Sequence, residues 1–245
     1  IEVLAKAPRR DLGQRVAVGG ADHAHIHGLG TRGTQALHHA GLQKAQQLGL
    51  EIEVHLNIFT PWTLFPFLLP MKRVELLVHS IHYLDSIRAL FGTPKGVFAR
   101  SLPDPRAPGF AQTRTSVILD WGDLRRGVMS INHNHAGGRK FQSAWFRIEG
   151  TEGAMMVKLG VCFDYPRGEA DELWFCRNGG DWAQVPLTGS WFVDSFMGPM
   201  RNLQRKAAGE DDRLFSGVED AFHTMALVEA CFTAMQTPAV PLVGD

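Results

Sequence analysis

The pattern of apolar and polar residues predicts a strand and then a helix in the second quarter of the chain. Glu51 to Ile58 alternates polar and apolar residues, which is typical of a half-buried strand. From Val74 to Phe91 the apolar residues recur at threes and fours, which predicts a helix ended by Gly92 and Pro94. The predicted buried positions are Ile52, Val54, Leu56 and Ile58 in the strand and Val74, Leu77, Val78, Ile81, Leu84, Ile87 and Leu90 in the helix.

A run of short strands follows this helix. Turns such as Trp121-Gly122-Asp123 separate them, which favours antiparallel pairing. A last helix is predicted from Ser216, as its N-cap, to about Met235. Strands in succession, with helices before and after them, predict an α+β domain with a broad sheet covered by helices. The predicted strands are Gly96 to Ser101, Thr113 to Asp120, Gly127 to His135, Ser143 to Glu149, Ala154 to Leu159, Leu173 to Arg177 and Trp182 to Leu187.

The segment 1–49 has no sustained pattern, and a remnant of a nucleotide-binding domain is one interpretation of it. Gln35 to Leu48 is compatible with a modest helix that Gly49 ends. Val16 to Ala24 is the nearest approach to a glycine-rich dinucleotide turn, but no room remains before Glu51 for the βαβ units that should follow. The alternating histidines at 23, 25 and 27 fit a polar loop better than a metal site, and we assign no metal ligand.

Composition and charge exclude several classes of protein. The chain has 25 Lys+Arg and 25 Asp+Glu, so its net charge of zero argues against a nucleic-acid-binding surface. The longest apolar stretch, Phe65 to Met71, is too short to cross a membrane, and the sequence shows no signal peptide. The three widely spaced cysteines predict reduced thiols. We therefore expect a cytoplasmic protein whose partner is a small-molecule substrate.

Three polar residues mark one face of the first helix. His79, His82 and Asp85 follow one another at intervals of three and lie near a single helix face. A carboxylate one turn from an imidazole fixes its tautomer and raises its pKa, which suits a general base that removes a hydroxyl proton during hydride transfer. The alternative is a hydrogen-bond network that joins structural elements and has no part in catalysis.

The predicted strand that begins at Gly127 ends in polar residues. His133 faces one side and Asn134 the other, so the two are candidates to line a sugar or polyol pocket, or they mark where the strand leaves the core. Arg114 is a candidate to bind a substrate hydroxyl or phosphate, with a surface salt bridge as the alternative. Trp62 is either a core anchor or a ligand platform.

The segment from His79 to Pro94 resembles the H-x-x-D-x-x-R-x-x-x-G-x-P helix of the Gfo/Idh/MocA oxidoreductases. The resemblance covers roughly residues 50–243 and is to the second domain of such enzymes. It implies, for residues 50–245, an α+β substrate-binding and oligomerisation domain whose broad, mostly antiparallel sheet is covered by helices on one face. The further matches are Asn57 to Trp62, Thr113 to Thr115, Asn132 to Asn134, Ile148 to Ala154, Asp164 to Pro166 and Asp220 to Ala230.

This resemblance also implies an activity, the transfer of a hydride between NAD or NADP and a sugar, polyol or related carbinol. His82 corresponds to the catalytic histidine of the family, and Asp85 would orient its helix. The family often has an aspartate four residues before that histidine, where this chain has Val78, so the acid/base pair would lose one member. The residues implied to bind substrate are His79, Arg114, His133, Asn134 and Trp62.

In that family a complete N-terminal Rossmann domain binds NAD(P), and its Glu-Lys-Pro motif supplies a catalytic lysine. Neither is identifiable in this sequence, so we expect the chain alone to bind no cofactor and to turn over no substrate. The resemblance implies a homo-oligomer that forms through the exposed face of the sheet. The alternative function is a noncatalytic sugar-binding or oligomerising module that has lost the nucleotide-binding half.

Overall fold

The structure is a computed structural model that describes residues 46–57, 66–68, 70–110, 112–163 and 168–242. Eight strands form one sheet in the order β2-β3-β4-β1-β5-β6-β7-β8. All neighbouring strands are antiparallel except β1 and β4, which are parallel. The strands are β1 (Gln47–His55), β2 (Gly96–Leu102), β3 (Arg114–Asp120), β4 (Arg126–Asn132), β5 (Ser143–Gly150), β6 (Gly153–Leu159), β7 (Glu172–Arg177) and β8 (Ala183–Val185).

Helices cover one face of this sheet. The first is preceded by a five-residue π-helix, Glu75–His79, which we call the π-turn. The helices α1 (Ile81–Phe91), α2 (Met197–Ala207) and α3 (Val218–Ala234) follow, with short 3-10 helices at Pro66–Leu68 and Asp194–Phe196. Leu84 and Ile87 of α1 and Val228 of α3 pack in one core with the inward-facing strand residues. This architecture confirms the predicted α+β fold with a mostly antiparallel sheet covered on one face.

Alternation along the strands fixes which face is covered. In β3 every second residue is buried, and Thr115, Val117 and Leu119 form that set. The predicted buried residues Ile52 and Val54 of β1, and Leu56 just after it, are confirmed, while Ile58 lies outside the described residues. The other side chains of each strand form an open face, because the side chains of a strand alternate between the two sides of a sheet.

The predicted helix over Val74 to Phe91 is two elements that meet at Ser80. The Ser80 N–H donates to the carbonyl oxygen of Glu75 at 2.8 Å, which closes a turn wider than an α-helical one. This wider turn changes which side chains face the sheet. Glu75 and Leu76 are buried, whereas the four residues Leu77, Val78, Ile81 and Leu90, predicted to be buried, are only half-buried.

Other boundaries also differ from the predictions. Residues 47–49, predicted as the end of a helix, belong to β1; the rest of that predicted segment, and the motifs before it, lie outside the described residues. The strand β4 ends at Asn132, three residues before the predicted end at His135. The N-cap of α3 is Gly217 instead of Ser216, and its backbone there is extended.

Helix α2 was not predicted from the sequence. Its first turn contains Gly198 and Pro199, which are typical of a break between elements. A proline in the first turn of a helix costs little, because the N–H that it lacks would have no partner within the helix. Within the described residues, the helices are too short or too polar to span a membrane.

Candidate active site

The two histidines of the first helix lie where the π-turn meets α1. His79 is the last residue of the π-turn, and His82 is the second residue of α1. The side chain of His82 is exposed, whereas that of His79 is half-buried against the rings of Tyr83 and His133. The structure therefore places one imidazole of the predicted pair at the surface and the other behind it.

A buried carboxylate lies below these histidines. Glu75, the first residue of the π-turn, is only 1% exposed. Its Oε1 accepts a hydrogen bond from the Ser80 hydroxyl and its Oε2 accepts one from the Thr115 hydroxyl. The Ser101 Oγ lies 2.6 Å from the Thr115 Oγ1 and extends this chain of hydroxyls to β2. The sequence analysis did not identify Glu75.

His133 joins this carboxylate to the first histidine. It is 1% exposed, and its Nδ1 lies 3.3 Å from the Glu75 Oε1, without the alignment of a hydrogen bond. The His133 and His79 rings pack edge to face, with centroids 4.2 Å apart at an interplanar angle of 76°. On its other side His79 packs against Tyr83 at 5.7 Å. We call Glu75, His79 and His133 the buried triad.

Burial and charge shift several pKa values around the triad. The pKa of His79 lies well below its usual range, because burial disfavours the charged ring and because His133 and His82 would repel it. Burial raises the pKa of Tyr83, and the nearby Glu75 carboxylate raises it further. The same two causes raise the pKa of the Cys231 thiol to about 12. Both groups are therefore neutral at neutral pH.

The Asp85 carboxylate is directed to α3. Its Oδ1 accepts a hydrogen bond from the Thr224 hydroxyl at 2.5 Å and lies 3.5 Å from the Arg88 Nη1. Arg88 in turn binds the Asp220 carboxylate at 3.0 Å and the Thr224 hydroxyl at 2.5 Å. These contacts fit the expected part of Asp85 in orienting its helix. Its catalytic assignment stays a prediction.

Arg114 does not join the buried triad. It alternates along β3 with Thr115, whose hydroxyl contacts Glu75 on the covered side. The Arg114 side chain therefore projects from the open face of the sheet. There its Nη2 donates to the carbonyl oxygen of Pro103 at 2.8 Å. The substrate-binding role of Arg114 stays a prediction, and Trp62 lies outside the described residues.

Asn134 lies beside the triad at the end of β4, where Asp104 and Arg106 support it. Its N–H donates to the Asn132 Oδ1 at 3.0 Å, and its carbonyl oxygen accepts from the Arg106 Nη2 at 3.1 Å. The Arg106 guanidinium also binds the buried Asp104 carboxylate at 2.6 Å and holds its pKa well below the usual range. His133 and Asn134 thus lie at one end of the sheet, where both are buried, and their predicted part in lining a substrate pocket stays a prediction.

The described residues do not fit a dinucleotide site or a metal site. A pyrophosphate is held by bare backbone N–H groups where a glycine-rich turn opens a helix. Among the described helices, α3 opens with Glu219 and Asp220, which would repel phosphate, and α1 and α2 each follow another helical turn directly. The part of the chain that the structure describes also has no group of three or more His, Cys, Asp or Glu placed to hold a metal ion.

Comparison with known proteins identifies related domains. A family model described as the C-terminal alpha/beta domain of the Gfo/Idh/MocA oxidoreductase family matches residues 75–242. No curated protein sequence matches the chain. A solved structure of an oxidoreductase from Agrobacterium radiobacter, in complex with NAD+, L-tartaric acid and magnesium, superposes with a TM-score of 0.63 at 18% identity; the match covers 83% of this chain and 58% of that one.

Two further solved structures have the same fold. One is a UDP-N-acetylglucosamine 3-dehydrogenase from Acidithiobacillus ferrooxidans, with a TM-score of 0.59, 15% identity and coverage of 82% of this chain and 57% of that one. The other is a proposed NADPH-dependent oxidoreductase from Desulfitobacterium hafniense, with a TM-score of 0.58, 13% identity and coverage of 83% of this chain and 58% of that one. The chain therefore spans less than two thirds of the length of these proteins.

Proposed function

This chain belongs to the Gfo/Idh/MocA oxidoreductase family, through the C-terminal alpha/beta domain matched over residues 75–242, and we propose that it supplies the substrate side of a hydride transfer. In the complete enzyme the hydride would pass between NAD or NADP and a sugar, polyol or related carbinol. NAD(P) supplies the hydride acceptor in such a reaction, and we assign its binding to a nucleotide-binding domain of the complete enzyme.

The position of His82 supports this proposal most directly. Its exposed ring lies in the first turn of α1, three residues after His79 and close enough to lower the pKa of that ring. A neutral imidazole in this position accepts the proton of a carbinol hydroxyl as the carbon is oxidised and returns it in the reverse reaction. Asn134 and Trp62 are proposed to position the other hydroxyls of the substrate, whereas Arg114 lies on the open face, on the opposite side of the sheet from His82.

The compounds and substrates of the structural neighbours agree with a carbinol substrate. The Agrobacterium radiobacter protein was solved with L-tartaric acid, which is a secondary alcohol, and the Acidithiobacillus ferrooxidans protein acts on a sugar ring. At 18% and 15% identity these neighbours share the fold alone, so a substrate panel must distinguish among polyol, sugar and hydroxy acid.

We also propose that the open face of the sheet joins copies of the chain. Phe98 and Ile118 are cross-strand partners on this face, and both are exposed. Beside them Glu51 forms ion pairs with Arg126 and, at 3.9 Å, with Arg147. A face with apolar side chains beside charges of both signs is suited to pair with a second copy.

The test of the enzymatic proposal uses the complete enzyme, in which a nucleotide-binding domain accompanies this chain, with NAD or NADP and a panel of polyols, sugars and hydroxy acids. Formation of reduced nicotinamide is followed by absorbance. We expect the His82→Gln variant to lose about 100-fold or more in kcat, since general-base catalysis contributes roughly 10²–10⁴-fold. His223→Gln, which replaces an exposed histidine of α3, is the matched control and should keep the wild-type rate.

A second candidate function, a noncatalytic carbinol-binding module, is favoured by Val78, which stands where the family often has an aspartate of the acid/base pair. This second function predicts that calorimetry detects binding of a carbinol to the chain, and that no carbinol is oxidised when NAD or NADP is added. Activity that survives the His82→Gln change would contradict the proposed role of His82.

A further inference from the structure

Glu75 is a buried carboxylate without a lysine or arginine partner among the described residues. The two side chains that hydrogen-bond to it, Ser80 and Thr115, are neutral hydroxyls. Hydroxyls stabilise a carboxylate by hydrogen bonding, but they do not compensate its charge. An uncompensated charge in the core of a protein is strongly unfavourable, so this site needs a proton or a cation close by.

His133 is placed to supply that proton. Among the described residues it is the only basic side chain at ion-pair distance from Glu75, with 3.3 Å between Nδ1 and Oε1. Neither ring nitrogen of His133 has a hydrogen-bond partner, and the ring is buried. A proton on Nδ1 faces the carboxylate, whereas a proton on Nε2 alone would turn a lone pair toward a negative charge.

The position of the His133 ring then determines the position of His79. The edge-to-face contact at 4.2 Å restricts the orientation of both rings, and Tyr83 closes the other side of His79. His79 lies three residues before His82, so a change in its packing is transmitted to the turn that carries the exposed ring.

We propose that Glu75 is a positioning residue for this site: its carboxylate keeps a proton on the Nδ1 of His133, and the ring fixed in this way holds His79 beneath the turn that carries His82. The functional part of this inference rests on the proposed role of His82. Glu75 itself touches no substrate, because it lies in the core.

The other titratable groups around the triad are neutral at neutral pH, so they do not compensate the charge of Glu75. From the π-turn and α1, His79 is neutral at neutral pH because its pKa is well below its usual range, and Tyr83 is neutral because its pKa is raised. From α3, Cys231 is neutral because its pKa is about 12. Protonation of His79 would place a second positive charge against His133, which agrees with its lowered pKa.

The test is ring nitrogen NMR of the full chain labelled with 15N-histidine. We expect a protonated Nδ1 on His133 at neutral pH in the wild type. Glu75→Met removes the acceptor, and we expect this variant to lose the Nδ1–H signal and the nuclear Overhauser effect between the His79 and His133 rings. The matched control is Glu53→Met, which removes an exposed carboxylate 3.7 Å from the His55 ring and should leave both signals unchanged.

Glu75→Gln keeps the size of the side chain and one hydrogen-bond acceptor but removes the negative charge. It is the variant to use in this test if Glu75→Met does not fold. We expect the His133 Nδ1–H to exchange with water about 10-fold faster in this variant, because the nearby negative charge that favours a proton on Nδ1 is removed. An unprotonated Nδ1 in the wild type, or an unchanged exchange rate in Glu75→Gln, overturns the proposal.

The activity assay separates this inference from the proposed function. A positioning role predicts that Glu75→Gln lowers kcat by about 10-fold and changes KM by less than about twofold, since the effect of the charge on the reacting group is indirect. A complete wild-type enzyme that turns over no carbinol contradicts the proposed function and leaves the NMR test intact. An active enzyme with unchanged kinetics in Glu75→Gln contradicts the positioning role alone.

Discussion

Gly127 lies directly against the indole ring of Trp121, and no larger residue fits between them. A Cβ atom at position 127 would stand 2.8 Å from two carbons of the ring and 3.1 Å from the Leu119 Cβ. Trp121 is almost completely buried, and its Nε1 donates to the carbonyl oxygen of Gly92 at 2.9 Å at the end of α1. The contact at Gly127 thus joins the start of β4 to the end of the helix that carries His82.

Gly127→Ala should therefore destabilise the fold. We expect a loss of about 1–3 kcal/mol in the free energy of unfolding, the usual cost of forcing an extra carbon into a packed core. Urea denaturation followed by circular dichroism measures it. Gly96→Ala is the matched control, because the new Cβ would lie 3.9 Å from the Asp120 Cβ, which is an ordinary contact. Equal stabilities of the two variants would contradict the prediction.

The Asp85 contacts predict a structural effect that differs from a catalytic one. Asp85→Asn weakens the pairing with Arg88 and alters the bond to Thr224 between α1 and α3. We expect a loss of about 1–3 kcal/mol in stability, the range for removing a partner from a buried charged group.

A double-mutant cycle with Thr224→Val tests this interpretation of Asp85. If Asp85 acts through α3, the effects of the two substitutions on the free energy of unfolding are not additive, because both remove the same contact. A purely catalytic Asp85 would lower kcat and leave the free energy of unfolding unchanged. Urea titrations of the four proteins in the cycle distinguish the two outcomes.

The sequence predicted the sheet well because strand alternation is a local property. In β1, Ile52 and Val54 face the core and Glu51 and Glu53 face the open side, so the alternating pattern alone identified both faces of this strand. The parallel pairing of β1 with β4 could not be predicted in this way. It depends on the path of the chain between strands that are far apart in sequence, and no local pattern records that path.

The buried triad shows where the helical pattern misleads. An ideal α-helix places Glu75 on the polar side of the periodic segment, but the π-turn that ends at Ser80 rotates it into the core. Its partners Thr115 and His133 come from β3 and from the end of β4. The one available signal was that His133 and Thr115 are polar residues at inward positions of two strands predicted to be neighbours.

The cysteines should differ in reactivity. Burial, together with the Glu75 carboxylate, raises the pKa of Cys231 to about 12, and burial also raises the pKa of Cys162. Cys176 lies near the far end of the sheet on β7 and is partly exposed. Because only the thiolate reacts with iodoacetamide, we expect Cys176 to be alkylated first and Cys231 to react only after unfolding.

Mass spectrometry of peptides after timed alkylation measures this order. Glu75→Gln provides a further test, because it removes one of the two causes that raise the pKa of Cys231. It should speed the reaction of Cys231 slightly and leave that of Cys176 unchanged. Modification of Cys231 as fast as Cys176 in the folded wild type would contradict the burial of α3 against the sheet.

His79 should make the protein less stable in mild acid. Its pKa is lowered in the folded state. Below the unfolded-state pKa of about 6.5, the unfolded chain therefore binds a proton at His79 that the folded chain does not bind. Above that pH neither state is protonated at His79, and the residue adds no pH dependence. As the pH falls below about 6.5, stability falls by up to about 1.4 kcal/mol for each pH unit.

Urea denaturation of the wild type and of His79→Phe at pH 7.5 and pH 5.5 isolates this contribution, because phenylalanine keeps an aromatic ring against His133 and does not titrate. We expect the wild type to lose about 1 kcal/mol more than the variant between the two pH values. His223→Phe, at an exposed position of α3, is the control and should keep the wild-type difference. Identical pH dependence in the wild type and His79→Phe would mean that the ring accepts a proton in the folded state, and His79 could not then be a neutral partner of His133.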